Sequence, residues 1–238
     1  MARTIIVTQS NYLPWRGWFN MLRQADGLVL LDSVQFTRRD WRNRNRIKTA
    51  QGALWLTVPV EAKGRFSQAV DETRISATGW AEEHLRSIAL SYARAPHFAL
   101  VFPWLEVQLR AAAAEPLLTR LNEALIRALC ESLALSLPIA RDTDLFPRET
   151  LLSLDPSERL AVLTEAMGGT RYVSGPAARA YLDPAPFTRR GIEVTWMDYS
   201  GYPDYPQLWG SFEPTVSVID LMLNMGKDAP RYLGKYHP

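Results

Sequence analysis

The hydrophobic pattern at the start of the chain predicts a strand, a loop, a helix and a second strand within about 30 residues. Segment 3–9 is short, apolar and β-branched, which is typical of a buried strand. Residues 15–25 follow with apolar side chains at helical spacing, and the run LVLLD after Gly27 is a second buried strand. This length and order are those of a right-handed βαβ unit, whose two strands are parallel.

Further along, the run ALWLTVPV that begins at Ala53 predicts a third strand. Segment 63–78 is polar and contains glycine, and it is expected to be a mobile loop. Helical periodicity dominates 79–135, where prolines divide the segment into three or four helices. A helix over 157–167 then precedes two more strands, in TRYVSG and GIEVTWMDY, and a last helix in TVSVIDLMLNMG.

These elements predict an α/β protein with a parallel-sheet core of βαβ units and a mostly helical middle segment. The N-terminal α/β half covers residues 1–78, the helical segment 79–150, and a C-terminal α/β half, 151–238, closes the same domain. A chain of 238 residues with 47% apolar residues is long enough to bury such a core. Ligands of parallel sheets gather at the carboxyl ends of the strands.

The densest polar signal is RRDWRNRNRIK, which contains five arginines, a lysine and a tryptophan. The planar guanidinium matches phosphate and carboxylate oxygens, so this basic run predicts an anion site. The substrate-binding candidates in it are Arg38, Arg42, Asn43, Arg44 and Lys48. A solvated basic face and a nucleic-acid patch are the alternatives. Since the net charge is only +2, nucleic acid is not the expected partner.

The loop after the first strand, QSNYLPWRGWF, has four aromatic rings in eleven residues. Gln9, Asn11, Tyr12 and Trp15 are the candidates there, because amides and hydroxyls form hydrogen bonds and aromatic rings offer flat faces for a sugar or a base. Gln35 follows the second strand and is a further substrate-binding candidate.

The segment before and inside the last helix forms a third polar and aromatic cluster. Ser217 is a substrate-binding candidate, although the alternative is that Ser217 or Thr215 only caps the helix. A buried Asp220 needs a partner, and we expect it to lie near the run 38–46 or near 9–12. The two ends of the chain are therefore expected to build one pocket.

Catalytic candidates are few, because the chain has only three histidines and none of the common nucleophile, metal or phosphate-loop motifs. Asp32, His97 and Asp220 are the acid–base candidates, with a packed or surface histidine as the alternative for His97. No metal site is expected, and the sequence leaves the cofactor unknown. The lone Cys130 excludes an internal disulfide.

The first βαβ unit resembles the nucleotidyltransferase-type α/β layout of pantothenate synthetase. In that family a segment of the type P-x-H-x-G-H follows the first strand, and its histidines hold ATP phosphates. The corresponding positions here are Trp15 and Trp18, with Gly17 between them. Without those histidines, adenylyl transfer is not expected.

Taken in order, QSNYLPWRGWF, LLDSVQFTRRDWRNRNRIKT, WLTVPV, RYVSGPAARAYLD and YPQLWGSFEPTVSVIDLMLNMG resemble the WbqC-like family over nearly the full chain. Members of that family often sit among genes for bacterial surface polysaccharides such as O-antigen. The resemblance implies a role in making or modifying a sugar or a related small molecule, and it supplies no agreed catalytic residues.

The expected function is that of an enzyme, a transferase that moves an acyl or aminoacyl group in a reaction with an anionic or nucleotide-linked substrate. A non-catalytic ligand-binding or scaffold protein in a surface-polysaccharide pathway is the alternative, and a nucleic-acid-binding module is the third. No apolar run is long enough to span a membrane and no signal peptide is visible, so a cytoplasmic protein without membrane insertion is expected. The oligomeric state stays open.

Overall fold

The centre of the protein is a five-stranded parallel sheet, seen in a computed structural model that describes residues 2–235. The strands in chain order are β1 (Thr4–Thr8), β2 (Gly27–Leu30), β3 (Arg44–Thr49), β4 (Gly52–Thr57), β5 (Ile139–Arg141), β6 (Arg171–Ser174) and β7 (Glu193–Trp196). The large sheet has the order β5-β2-β1-β6-β7, and every neighbouring pair in it is parallel. Strands β3 and β4 form a separate antiparallel hairpin.

Helices cover both faces of the large sheet. They are α1 (Arg16–Arg23), α2 (Trp80–Tyr92), α3 (Phe98–Ala112), α4 (Leu118–Ser132), α5 (Asp142–Leu145), α6 (Arg148–Ser153), α7 (Pro156–Ala166), α8 (Ala185–Thr188) and α9 (Val218–Met225). Alternation along β1 separates two hydrophobic clusters, because Ile6 packs on one face of the sheet while Ile5 and Val7 pack on the other. Strand β1 is thus buried on both sides, as a parallel strand requires.

The predicted βαβ unit is confirmed. Strands β1 and β2 are parallel neighbours in the register Ile5 with Gly27 and Thr8 with Leu30, and α1 connects them. The α/β class, the parallel core and the helical middle segment are likewise those of the structure. The nucleotidyltransferase-like layout stays a prediction.

The order of the strands places a topological switch point at β1. The chain builds the sheet outward from β1 through β2 to β5, and then returns to add β6 and β7 on the opposite side of β1. The connections after β1 and β6 therefore leave the sheet in opposite directions. In open α/β sheets this divergence creates a crevice at the carboxyl ends of the two strands.

Three segments differ from the sequence pattern. Arg44–Thr49 is a strand, although the sequence was interpreted there only as a basic run. Ile139–Arg141 is a short strand that has few residues to show a period. The expected loop at 63–78 contains the 3-10 helix Val70–Glu72. Backbone bonds from Val70 N to Val34 O (3.0 Å) and from Asp71 N to Asp32 O (3.0 Å) fasten that turn to the segment after β2.

Candidate functional site

A pocket lies between the loop after β1, the hairpin and the segment before α9. It has a volume of about 280 Å³ and is lined by Asn11, Pro14, Trp15, Trp41, Asn45 and Thr215. We call it the aromatic pocket. Its walls come from both ends of the chain and from the basic run. The sequence led us to expect that the two ends would build one pocket.

Backbone hydrogen bonds join the segments that build this pocket. Ser217 N donates to Arg46 O (2.8 Å), and Val218 N donates to Pro14 O (2.9 Å), so the C-terminal segment lies between the loop and β3. The side-chain amide of Asn45 donates to the carbonyl of Leu13 at 2.8 Å. Because Leu13 has a φ of 42°, this bond supports a left-handed turn that a leucine seldom adopts.

Asn11 is the most informative residue of the pocket. Its side chain is only 9% exposed, and its Oδ1 has no hydrogen-bond partner among residues 2–235. An unpaired buried polar atom costs about 1–3 kcal/mol, so native proteins rarely keep one without a reason. A ligand hydroxyl or amide that donates to this oxygen would remove the cost.

The rim of the pocket is aromatic and cationic. Trp41 and Trp55 are 39% and 41% exposed, and their ring centroids lie 5.5 Å apart. The guanidinium of Arg44 lies 4.1 Å from the Trp55 ring centroid, and that of Arg46 lies 5.6 Å from it. Alternation along β3 explains this arrangement, since Arg44 and Arg46 point to one face and Asn45 points to the other.

Asp220 belongs to a buried polar network beside the hairpin. Its carboxylate accepts hydrogen bonds from the hydroxyls of Tyr92 (2.7 Å) and Tyr205 (2.6 Å) and from the amide of Gln207 (2.7 Å). Gln207 in turn accepts from Lys48 Nζ at 2.8 Å. Burial raises the pKa of Asp220, and the three donors oppose that rise.

The partners of Asp220 therefore differ from the expected ones. No residue of the run 38–46 forms an ion pair with Asp220 within the described part of the chain, and only Lys48 is connected to it, through Gln207. The buried carboxylate is satisfied by neutral donors from α2 and the segment before α9. The polar network supports the C-terminal wall of the pocket.

The other two acid–base candidates lie elsewhere. Asp32 is buried and accepts from Ser10 N (2.8 Å) and from the Thr119 hydroxyl (2.5 Å), so it anchors the start of the loop after β1. Burial is also the largest cause that raises its pKa. His97 precedes α3, and its ring packs against Gly226, where an added Cβ would lie 2.5 Å from Nδ1. The structure does not bring Asp32, His97 and Asp220 together.

The substrate-binding candidates divide into three groups. Asn11 and Trp15 line the aromatic pocket, Arg44 stands on its rim, and Gln9 faces the crevice at the switch point. The buried candidates hold the fold: Tyr12, Asn43, Lys48 and Ser217, of which Ser217 caps α9. The remaining three contact other segments. Arg42 is mostly buried, and its Nη2 lies 3.6 Å from Asp40 Oδ2. The Gln35 amide donates to Phe66 O, and the Arg38 guanidinium donates to Ala62 O.

Sequence reasoning missed Trp41, Asn45, Trp55 and Thr215. The signal for Asn45 was present, because RNRI alternates charged and less polar residues at the period of a strand. That alternation places Asn45 with Ile47 on the inward face. Trp55 follows from the hairpin register, in which it pairs with Arg46.

His84 supports the loop after β1, since its Nδ1 lies 2.8 Å from the hydroxyl of Tyr12 in that loop. The ring bonds to the Thr57 backbone, and burial lowers the pKa of His84 to about 4. An unfolded histidine has a pKa near 6.5, so between about pH 6.5 and 4 the unfolded chain binds a proton that the folded chain does not. The stability that a neutral His84 contributes is complete above this window and is lost as the pH falls through it.

We therefore expect the free energy of unfolding to fall by about 2 kcal/mol between pH 7 and pH 5 because of His84 alone. Urea unfolding of the wild type and of His84→Gln at both pH values measures the difference. If the free energy of unfolding falls equally between pH 7 and pH 5 in the wild type and in His84→Gln, His84 is not the source of the pH dependence.

Neither a membrane span nor a metal cluster is found in residues 2–235. None of the helices there is long and apolar enough to cross a bilayer. No group of three or more histidine, cysteine, aspartate or glutamate side chains is arranged to hold a metal ion in the same residues.

Fold and site together define a doubly wound α/β protein whose loop after β1, basic hairpin and last helix enclose an aromatic pocket. The model of the WbqC-like protein family matches residues 9–232, and the chain belongs to that family. The matched range includes every residue that lines the aromatic pocket.

The chain also has a similar relative. The chain is 46% identical over 231 residues to the uncharacterized protein Rv1507c of Mycobacterium tuberculosis (strain ATCC 25618 / H37Rv), with 97% of each chain covered. No solved structure matches the chain.

Proposed function

We propose that this protein is an enzyme of sugar or small-molecule biosynthesis, a transferase that moves an acyl or aminoacyl group in a reaction with an anionic or nucleotide-linked substrate. The observation that carries the proposal is a pocket lined by Asn11, Trp15 and Trp41, together with the buried Oδ1 of Asn11, which has no hydrogen-bond partner among residues 2–235.

The pocket suits a sugar ring or a similar small polyol. Indole faces pack against the apolar side of such a ring, and a buried amide oxygen accepts from one of its hydroxyls. The volume of about 280 Å³ is just below the range for small-molecule sites, about 300–1,000 Å³. It therefore suits one sugar unit better than an oligosaccharide.

The arginines on the rim suit an anionic group attached to that sugar. Both guanidinium groups lie over Trp55. That of Arg44 donates to Arg39 O and forms no ion pair in residues 2–235, whereas that of Arg46 donates to the Thr215 hydroxyl and lies 3.8 Å from Glu213. Stacking holds a guanidinium plane in place, and a preorganised guanidinium binds phosphate or carboxylate oxygens in a fixed geometry. The family's frequent place among surface-polysaccharide genes agrees with a sugar phosphate as the ligand class.

A non-catalytic ligand-binding or scaffold protein in such a pathway is the second candidate. The observation that favours it is the position of the acid–base candidates, because Asp32, His97 and Asp220 do not line the aromatic pocket. A binding protein needs the pocket alone, whereas a transferase also needs a group that moves a proton at the reacting atom.

One experiment separates the two candidates. Purified protein is titrated with nucleotide sugars of the UDP, GDP and dTDP series, and each mixture is then incubated with acyl-coenzyme A or an aminoacyl thioester. A transferase gives a product whose mass is increased by the acyl group. Binding without any product favours the non-catalytic candidate, and no binding in the whole series contradicts both.

Asn11→Ala is expected to bind a nucleotide sugar about tenfold more weakly than the wild type does, which corresponds to about 1.4 kcal/mol. Trp41→Ala should have a similar effect, because it removes one wall of the pocket. The matched control is Phe66→Ala, since Phe66 is 70% exposed and lines neither the pocket nor the crevice. Calorimetry measures the three affinities, and wild-type affinity in Asn11→Ala would contradict the site.

A further inference from the structure

A second cavity lies at the switch point of the sheet. It has a volume of about 530 Å³ and is bordered by the ends of β1, β2 and β6 and by the start of α7. It shares no lining residue with the aromatic pocket, although the loop after β1 contributes Gln9 to this cavity and Asn11 to the other. We call it the switch-point crevice.

The crevice has the position at which open α/β sheets bind ligands. Strand β1 is paired with β2 on one side and β6 on the other, and the chain departs from the two strands in opposite directions. The space between the departing connections is open at the carboxyl ends of the strands. Thr8 and Ser174 are the last residues of β1 and β6, and both line it.

One cation faces this space. Arg159 on α7 donates from Nε to Leu151 O (2.7 Å) and from Nη2 to Leu154 O (3.1 Å). Its Nη1 has no hydrogen-bond partner, and no carboxylate lies within 4.0 Å of its guanidinium, in the part of the chain that the structure describes. Two carbonyls thus fix the orientation of a guanidinium that forms no ion pair in residues 2–235, while the carboxylates of Asp142 and Asp155 act on its charge from beyond 4.0 Å.

The remaining walls offer a flat aromatic face and a mixed lining. Tyr181 is 76% exposed at the border of the crevice, which is unusual for so large a ring. Apolar contacts come from Leu31 and Leu160, and the polar groups of Gln9 and Ser174 lie among them. A fixed cation, an aromatic face and a few polar groups are the features with which proteins bind a phosphate joined to a planar base.

We propose that the switch-point crevice is a second ligand site and that it binds a nucleoside phosphate, with Arg159 on the phosphate and Tyr181 on the base. The volume of about 530 Å³ is within the range for such ligands. This proposal goes beyond the transferase proposal, because it holds whether or not the aromatic pocket takes a sugar. The nucleoside phosphate can be a free nucleotide or the nucleotide part of a larger molecule, and the experiment separates the two.

The decisive variant is Ala177→Glu. Ala177 is exposed and lines the crevice, so the new carboxylate repels a phosphate without removing a contact of the fold. Its matched control is Ala180→Glu, since Ala180 is exposed in the same 3-10 helix, Pro176–Ala180, but does not line the crevice. The same residue type acquires the same charge in both variants, three positions apart.

The full chain is titrated by calorimetry with ADP, UDP and GDP, with the corresponding nucleotide sugars, and with inorganic pyrophosphate. At least one nucleotide should bind the wild type. Its affinity for Ala177→Glu should be at least tenfold lower, and its affinity for Ala180→Glu should be within twofold of that for the wild type. Tyr181→Ala should lower the affinity for the nucleotide about tenfold and leave the affinity for pyrophosphate unchanged. The source is identified in Asn11→Ala, where the contribution of the aromatic pocket is weakened: a nucleotide sugar that binds this variant tenfold tighter than its nucleotide identifies the larger molecule, and equal affinities identify the free nucleotide.

Several results would overturn the proposal. They are the absence of nucleotide binding at millimolar concentration, equal effects of Ala177→Glu and Ala180→Glu, and pyrophosphate that binds as tightly as every nucleotide. A fourth is loss of nucleotide binding in Asn11→Ala with full binding in Ala177→Glu, which would move the nucleotide to the aromatic pocket. Asn11→Ala is otherwise expected to bind the nucleotide like the wild type, so failure of the crevice and failure of the aromatic pocket give different patterns.

Discussion

Asp220→Ala is expected to lower the free energy of unfolding by about 3–5 kcal/mol, because each buried donor that loses its acceptor costs about 1–3 kcal/mol. The substitution leaves the hydroxyls of Tyr92 and Tyr205 and the amide of Gln207 without their shared acceptor. All of these groups lie beside the core, where water replaces the carboxylate poorly. Urea denaturation followed by tryptophan fluorescence measures the change.

Asp228→Ala is the matched control for this effect. Asp228 lies shortly after α9, its side chain is 42% exposed, and it pairs with Arg231 at 3.2 Å. Exposed pairs of this kind contribute little, so the control should stay within about 0.5 kcal/mol of the wild type. A loss of less than about 1 kcal/mol in Asp220→Ala would show that the network is not a stabilising element.

Arg44→Ala is expected to weaken an anionic ligand of the aromatic pocket by about 1.5–3 kcal/mol, or roughly tenfold to a hundredfold, the range for hydrogen bonds to charged groups. Arg44→Lys should give an intermediate affinity, because it keeps the charge but loses the planar fork that lies over Trp55. Folding should hardly change, since Arg44 is only half-buried and its side chain forms one hydrogen bond in residues 2–235, to Arg39 O.

Arg94→Ala is the control for charge alone, because Arg94 is exposed near the end of α2 and away from the pocket lining. Titration at two salt concentrations separates a direct contact from a general effect of net charge, which salt screens. If Arg44→Ala and Arg94→Ala weaken the ligand equally, Arg44 acts only as part of a basic surface.

The parts of the fold that sequence predicts well are those with strong local periodicity. The apolar runs of β1 and β2 with the helix between them predict the parallel unit, and Asp155 or Ser157 beside Pro156 is predicted to cap the start of α7. In the structure the cap is Asp155, whose side chain accepts from Ser157 N at 2.9 Å. Local signals of this kind need no knowledge of the remainder of the chain.

The site was predictable only in outline, because its partners are far apart in sequence. Composition indicated that the loop after β1 and the segment before α9 share a pocket. It could not indicate that Asp220 bonds to Tyr92, 128 residues away, or that Tyr12 meets His84. Such pairs depend on where α2 packs, and no periodicity within α2 specifies that position.

The order in which the pocket's walls are synthesised has a consequence for the growing chain. Asn11, Trp15 and Asn45 leave the ribosome well before Thr215 and Ser217, which follow all seven strands in the sequence. Until that last segment pairs with Pro14 and Arg46, the pocket lacks one wall and the loop lacks its outer support. A prematurely terminated product would therefore carry most of the sheet but no complete pocket, and ligand binding would distinguish finished molecules from truncated ones.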